Sequence, residues 1–165
     1  PSIAGVIIMR TFATLVLSAG LAAGVMLSPA TRAQEPLQPQ VESSKAFGPY
    51  EILYSVVPTT FLSESVAASY QITRGRDQAM INVSVRKKAE DGDAPQAAVI
   101  KGTYSDLMQS KVLTFREVRE KGAIYYIAAF RHGDKELLRF DLNVQVDPQM
   151  PAQTITFTRK LFVDE

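Results

Sequence analysis

The sequence predicts an all-β domain, an immunoglobulin-like antiparallel β-sandwich of about seven strands with one short helical insert. Three observations carry that expectation: short runs in which apolar and polar residues alternate, turn chemistry between those runs, and a single stretch that breaks the β pattern. At 165 residues, 46% hydrophobic and 21% charged, the chain has the composition of one folded domain with its own core.

The clearest run is "LLRFDLNVQVDP", in which Leu138, Phe140, Leu142, Val144 and Val146 point one way and Arg139, Asp141, Asn143 and Gln145 the other. The same alternation predicts strands over 50–57, 79–87, 97–104, 112–120, 123–130 and 154–163. In 79–87 the inward residues are Ile81, Val83 and Val85. Phe115 and Val118 fall on opposite parities, which predicts a bulge or an edge position, and Arg159 interrupts the apolar face of the last strand, which predicts a bulge or a chain end beyond the core.

The turns agree with this count. Lys121-Gly122 fits a two-residue hairpin loop with positive φ, "AEDGDAPQ" a longer acidic loop, and "RHGDK" a third connection in which Gly133 supplies left-handed backbone. If each strand crosses the sandwich once, the connections 58–78, 105–111 and 131–135 share one end. The loops 88–96, 121–122 and 147–153 share the other.

The stretch that breaks the pattern is "TTFLSESVAASYQITRGRDQ". Ser63 can cap a helix of one or two turns with Val66, Ala67 and Tyr70 on one side. Phe61, Leu62, Val66, Tyr70 and Ile72 are more apolar than a long exterior loop requires. One reading makes this insert a plug for the open end of the sandwich; the other makes it a recognition surface rimmed by Arg74 and Arg76. Tyr125 and Tyr126 are adjacent, so one faces the core and the other faces out.

Residues 1–33 are read as upstream residues plus a secretory signal peptide. The start is Met9, followed by basic Arg10, an apolar stretch over 12–27, Pro29, and cleavage after Ala33. An uncleaved anchor is the alternative, although Gly20 and Gly24 interrupt a stretch already short for a bilayer. Residues 34–44 read as a flexible leader and 45–165 as the single β-sandwich domain. The expected location is the periplasm, with no membrane span after cleavage.

Processing changes the charge balance. The whole chain has 18 Lys and Arg against 17 Asp and Glu; removal of Arg10 and Arg32 turns a nominal +1 into −1. Without a basic excess, phosphate contacts lose their driving term and no nucleic-acid partner is expected. The absence of cysteine leaves stability to the core, and removes thiol chemistry and zinc sites built on Cys.

His132 is the single histidine. A catalytic imidazole needs a group to activate and a carboxylate to orient it; Asp134 is near in sequence, but no serine sits in a G-x-S-x-G turn. His132 is therefore expected to be a solvated turn residue near Arg74, Arg76 and Lys111, outside any pocket. "DGD" at 91–93 lacks the spacing of an EF-hand loop, so no metal or cofactor is expected.

The segments "FGPYEILYS", "FLSESVAASY" and "GAIYYIAAF" resemble a family of small exported proteins of Gram-negative bacteria, domain of unknown function 4426, over about residues 45–165. Where that family has Thr-Pro, this chain has Ser63-Glu64, which keeps a cap but not the proline. The resemblance implies a β-sandwich behind a signal peptide and names no catalytic residue. The resulting expectation is a non-enzymatic module that binds a periplasmic or envelope protein through Phe61, Leu62, Tyr70, Arg74, Arg76, Arg131 and His132. The alternative is a carrier of hydrophobic small molecules with the 58–78 insert as lid.

Overall fold

A computed structural model of the chain describes residues 43–164. The signal segment and nearly all of the leader lie outside the described residues. Ten strands are present among those described: β1 (Ser43–Phe47), β2 (Tyr50–Pro58), β3 (Gln78–Lys87), β4 (Ala94–Pro95), β5 (Val99–Ser105), β6 (Ser110–Leu113), β7 (Arg116–Glu120), β8 (Ala123–Arg131), β9 (Glu136–Gln145) and β10 (Gln153–Leu161). A 3₁₀ turn (Thr59–Phe61) and one helix, α1 (Glu64–Ser69), follow β2.

All pairings are antiparallel. One sheet runs β1-β2-β3-β8-β7, with β4 taking the edge of β3 beyond the last β8 pair, and the other runs β10-β9-β5-β6. Alternation sets which residues meet between them. Ile52, Val56, Ala79, Ile81, Val83 and Phe130 from the first sheet share one core with Tyr104, Leu138, Phe140, Leu142, Val144 and Ile155 from the second. Phe140, fully buried, stacks on Phe157 at 4.9 Å between ring centres and meets the edge of Phe130 at 5.3 Å. Each such side chain contributes about 1.5–3 kcal/mol by leaving water, which is how a fold without disulfides holds.

The predicted strands are all present, with informative differences. The 112–120 run is two strands in different sheets: β6 ends at Leu113 in the second sheet and β7 begins at Arg116 in the first. Phe115 packs against the shared core and Val118 faces outward, so the parity change marks a crossing between sheets. The last strand has no bulge; Arg159 pairs with Leu138 in unbroken register. Strand β1 begins at Ser43, two residues inside the expected leader, and neither β1 nor the two-residue β4 was expected.

The turns differ in one place. Lys121 (φ 47°) and Gly122 (φ 77°) form the two-residue hairpin closed by Glu120 and Ala123. In "RHGDK", however, the left-handed residue is Lys135 (φ 56°), not Gly133. There the Gly133 N–H donates to the Glu136 carboxylate, which folds the turn from its other side.

The insert does not plug the end of the sandwich. Ser63 caps α1 by accepting from the Val66 N–H at 3.3 Å, and the helix lies on the outer face of the first sheet. Leu62 and Ala67 form a second core there with Met80 and Ile127, bordered by Val57, Tyr70, Ile72, Val118 and Tyr125. Tyr126 faces the main core, whereas Tyr125 faces out beneath the insert.

Candidate functional site

Strand directions bring the 59–77, 106–109 and 132–135 connections to one end, together with the chain after β10. Hydrogen bonds tie these segments together. The Thr60 hydroxyl donates to the Asp164 carboxylate, Arg76 Nε donates to the Asp164 carbonyl at 2.6 Å, and the Asp164 N–H returns to the Arg76 carbonyl at 3.2 Å. The Val163 N–H donates to Asp134 Oδ1 at 3.2 Å, joining the chain end to the β8–β9 turn.

Five of the seven sequence-predicted residues meet here. Phe61 is 79% exposed. Arg74 donates from Nη2 to the Thr60 carbonyl at 3.2 Å and pairs with Glu64 at 3.6 Å, so it braces the insert. Arg131 pairs with Asp77 at 3.2 Å, and the His132 N–H donates to the Asp77 carbonyl at 3.0 Å.

Leu62 and Tyr70 are elsewhere. Leu62 is 1% exposed in the second core, so its side chain is unavailable as a binding surface. Tyr70 lies over β7, where its carbonyl accepts from Arg116 and its hydroxyl donates to Glu120. Burial, with the Glu120 carboxylate adding to it, pushes the Tyr70 phenol up to about 12.

His132 departs from expectation in two ways. It is buried, not solvated, and it lines a concavity of about 250 Å³ with Tyr104, Asp106, Gln109, Lys111 and Glu136. Its Nδ1 lies 2.9 Å from the Gly133 carbonyl, a contact within its own turn. The Asp134 carboxylate is engaged by the Val163 N–H and by Lys135 at 3.8 Å. Burial and then the nearby Glu136 carboxylate raise the Tyr104 phenol above its usual range.

Sequence reasoning missed the β5–β6 turn. Leu107 and Met108 are fully exposed at its tip, held by Asp106, whose Oδ1 accepts from the N–H groups of Met108 at 2.6 Å and Gln109 at 2.8 Å. These two bonds, foremost, hold the Asp106 carboxyl below the usual carboxylate range. The available signal was an apolar pair inside "SDLMQS", where polar residues are the rule. Phe162 is a second omission, 54% exposed just past β10.

A larger hollow of about 460 Å³ lies along the second sheet around Gly102, Lys101, Thr103, Val112, Asp141 and Asn143, and none of the sequence-predicted residues lines it. Among the described residues, no group of three His, Cys, Asp or Glu is placed to hold a metal ion, and no helix is long and apolar enough to cross a membrane.

The family model described as Domain of unknown function (DUF4426) matches residues 44–164. The crystal structure of a DUF4426 family protein from Pseudomonas aeruginosa PAO1 is similar, with a TM-score of 0.66 and 35% identity, covering 76% of this chain and 98% of that one. Comparison with curated proteins gives no match.

Proposed function

The chain belongs to the DUF4426 family, and from the geometry of its insert end we propose that it is a non-enzymatic periplasmic module that binds a protein or another envelope component. The observation that carries this reading is the exposure of Phe61, Leu107, Met108 and Phe162 in loops gathered at that end. Turn tips are ordinarily polar, and large apolar side chains exposed on several loops at one end favour interaction.

Strand orders support an immunoglobulin-like reading of the sandwich. What supports it is the order β2-β3-β8-β7 in one sheet and β10-β9-β5-β6 in the other, with β1 and β4 read as additions. Domains of that build commonly present binding loops at one end. Export is supported by the 9–33 pattern of a basic residue, an apolar stretch and a small-residue end. The non-enzymatic reading is supported by the position of His132, whose Nδ1 meets its own turn and not a carboxylate or nucleophile.

In-cell photo-crosslinking tests the reading, with the reactive residue at Phe61, Arg74 or Leu107 and a control at Asp93 on the opposite end. Adducts from the first three positions and none from Asp93 are the expected result. Absence of adducts from all of them, with the protein folded and exported, would remove the binding module. A His132→Gln variant that fails to complement a deletion strain while remaining folded and able to form those adducts would point to an enzyme instead.

A further inference from the structure

We propose that the concavity beside His132 binds a small zwitterion, a molecule that carries an ammonium and a carboxylate group as a free amino acid does. It goes beyond the reading above, since it needs no macromolecular partner and is tested on the isolated chain.

Two buried side chains open into that hollow with polar atoms unpartnered. Tyr104 is 9% exposed and His132 8%, and both line it. Neither the Tyr104 hydroxyl nor His132 Nε2 makes a hydrogen bond to the described residues. Neither is sealed in, since Asn82 Oδ1 is the one enclosed side-chain atom left unbonded among those residues. The buried Tyr126 hydroxyl, by comparison, accepts from the Ala98 N–H at 2.8 Å and donates to Glu117 at 3.0 Å. A buried polar group that forgoes such bonds costs free energy unless water or a ligand supplies them.

The two free atoms have opposite roles. A carbonyl can only accept, so His132 Nδ1 donates to Gly133 at 2.9 Å, which leaves Nε2 an acceptor in the neutral ring. Burial and then Glu136 raise the Tyr104 phenol, so it keeps its proton and donates to an anion.

Charge around the hollow repeats this pairing. Lys111 Nζ lies 5.9 Å from the centre of the Tyr104 ring, and the Glu136 carboxylate acts on the same phenol. Both residues line the hollow, yet no ion pair within 4.0 Å joins them. One Glu136 oxygen accepts from the Gly133 N–H and the other has no partner among the described residues. Asp106 and Arg131 complete the charged lining, Asp106 accepting from its own turn and Arg131 paired with Asp77. All four keep their charges, so the lining holds two cations and two anions and favours neither a simple anion nor a simple cation. A ligand with one group of each sign satisfies both halves: its carboxylate is met by Lys111 and the Tyr104 hydroxyl, its ammonium by Glu136 and His132 Nε2. A volume of about 250 Å³ falls below the usual range for drug-sized ligands and limits the occupant to the scale of an amino acid.

The test is titration of the purified exported chain, followed through its backbone amide resonances. The probes are alanine, leucine and glutamine, each with its N-acetyl and its amide derivative, and glucose as a neutral polar control. Saturable shifts at His132, Gly133 and Lys111 are expected with at least one of the three amino acids. Its two derivatives, each lacking one charge, should bind about tenfold or more weakly. Lys111→Met and Tyr104→Phe should each weaken binding by about tenfold at unchanged melting temperature, while Val99→Ala, outside the hollow, leaves it unchanged. Should Tyr104→Phe fail to fold, Lys111→Met, at an exposed position, decides alone. Absence of saturable shifts with all three amino acids overturns the inference, as do equal binding by the derivatives, preference for glucose, or unchanged binding in Lys111→Met.

Discussion

The Tyr70 hydroxyl donates a hydrogen bond to the Glu120 carboxylate, fifty residues away, and so fastens the end of α1 to β7. The bond closes the insert over Tyr125 and Val118, which without it would present apolar surface on an outer sheet face. Tyr70→Phe is expected to cost about 1 kcal/mol, the usual net worth of such a bond, measured by urea unfolding. A change within error would mean that packing alone holds the insert.

The same pair gives a pH dependence. The folded state favours the neutral phenol and raises it from 10.0 to about 12, so this contribution is complete below pH 10 and is lost as pH rises through 12. Difference absorbance of phenolate formation is expected to show one tyrosine titrating later in wild type than any in Tyr70→Phe. Stability curves of the two proteins should converge over that alkaline window.

Leu62 and Phe61 are neighbours with opposite fates. Leu62→Ala empties a site in the second core and is expected to cost about 2–4 kcal/mol. Phe61→Ala removes a side chain that is 79% exposed and should change stability by less than about 0.5 kcal/mol. Denaturant midpoints check both. A large loss from Phe61→Ala would mean that this ring is packed, and would remove it from the binding end.

The position of the insert was in principle readable. Strands with one wet face alternate, as β9 does, and that pattern exposed most of the fold. The runs Val56-Val57, Ala79-Met80-Ile81 and Ile127-Ala128 do not alternate, because Val57, Met80 and Ile127 are covered from outside by Leu62 and Ala67. Apolar residues on both parities of β2, β3 and β8 thus announce a sheet covered on both faces, and that covering is the insert. Strand β4 was not readable, since two residues at the edge of β3 bury nothing. Burial of His132 was also hidden, because it arises from long-range packing at the end of the sandwich, where its N–H reaches the Asp77 carbonyl.

Gly102 in β5 is constrained by space. A Cβ there would lie 2.7 Å from Leu142 Cδ2, 3.2 Å from the Asp141 carbonyl and 3.3 Å from the Phe115 ring. Leu142 is 1% exposed, so relief of the clash requires its side chain to shift. Gly102→Ala is expected to destabilise by about 1–3 kcal/mol through overpacking. An unchanged melting temperature would show that β5 and β9 can separate slightly without cost.

Lys121 offers the opposite case, a position where substitution should help. It is the first residue of a two-residue hairpin at φ 47°, a conformation that costs a residue with a long side chain and suits Asn. Its ammonium has no carboxylate within 4.0 Å among the described residues, so little is lost with it. Lys121→Asn is therefore expected to stabilise by about 0.5 kcal/mol, read as a rise in the denaturant midpoint at unchanged slope. A fall instead would mean that the β7–β8 hairpin depends on the lysine stem, and not on the backbone preference of its turn.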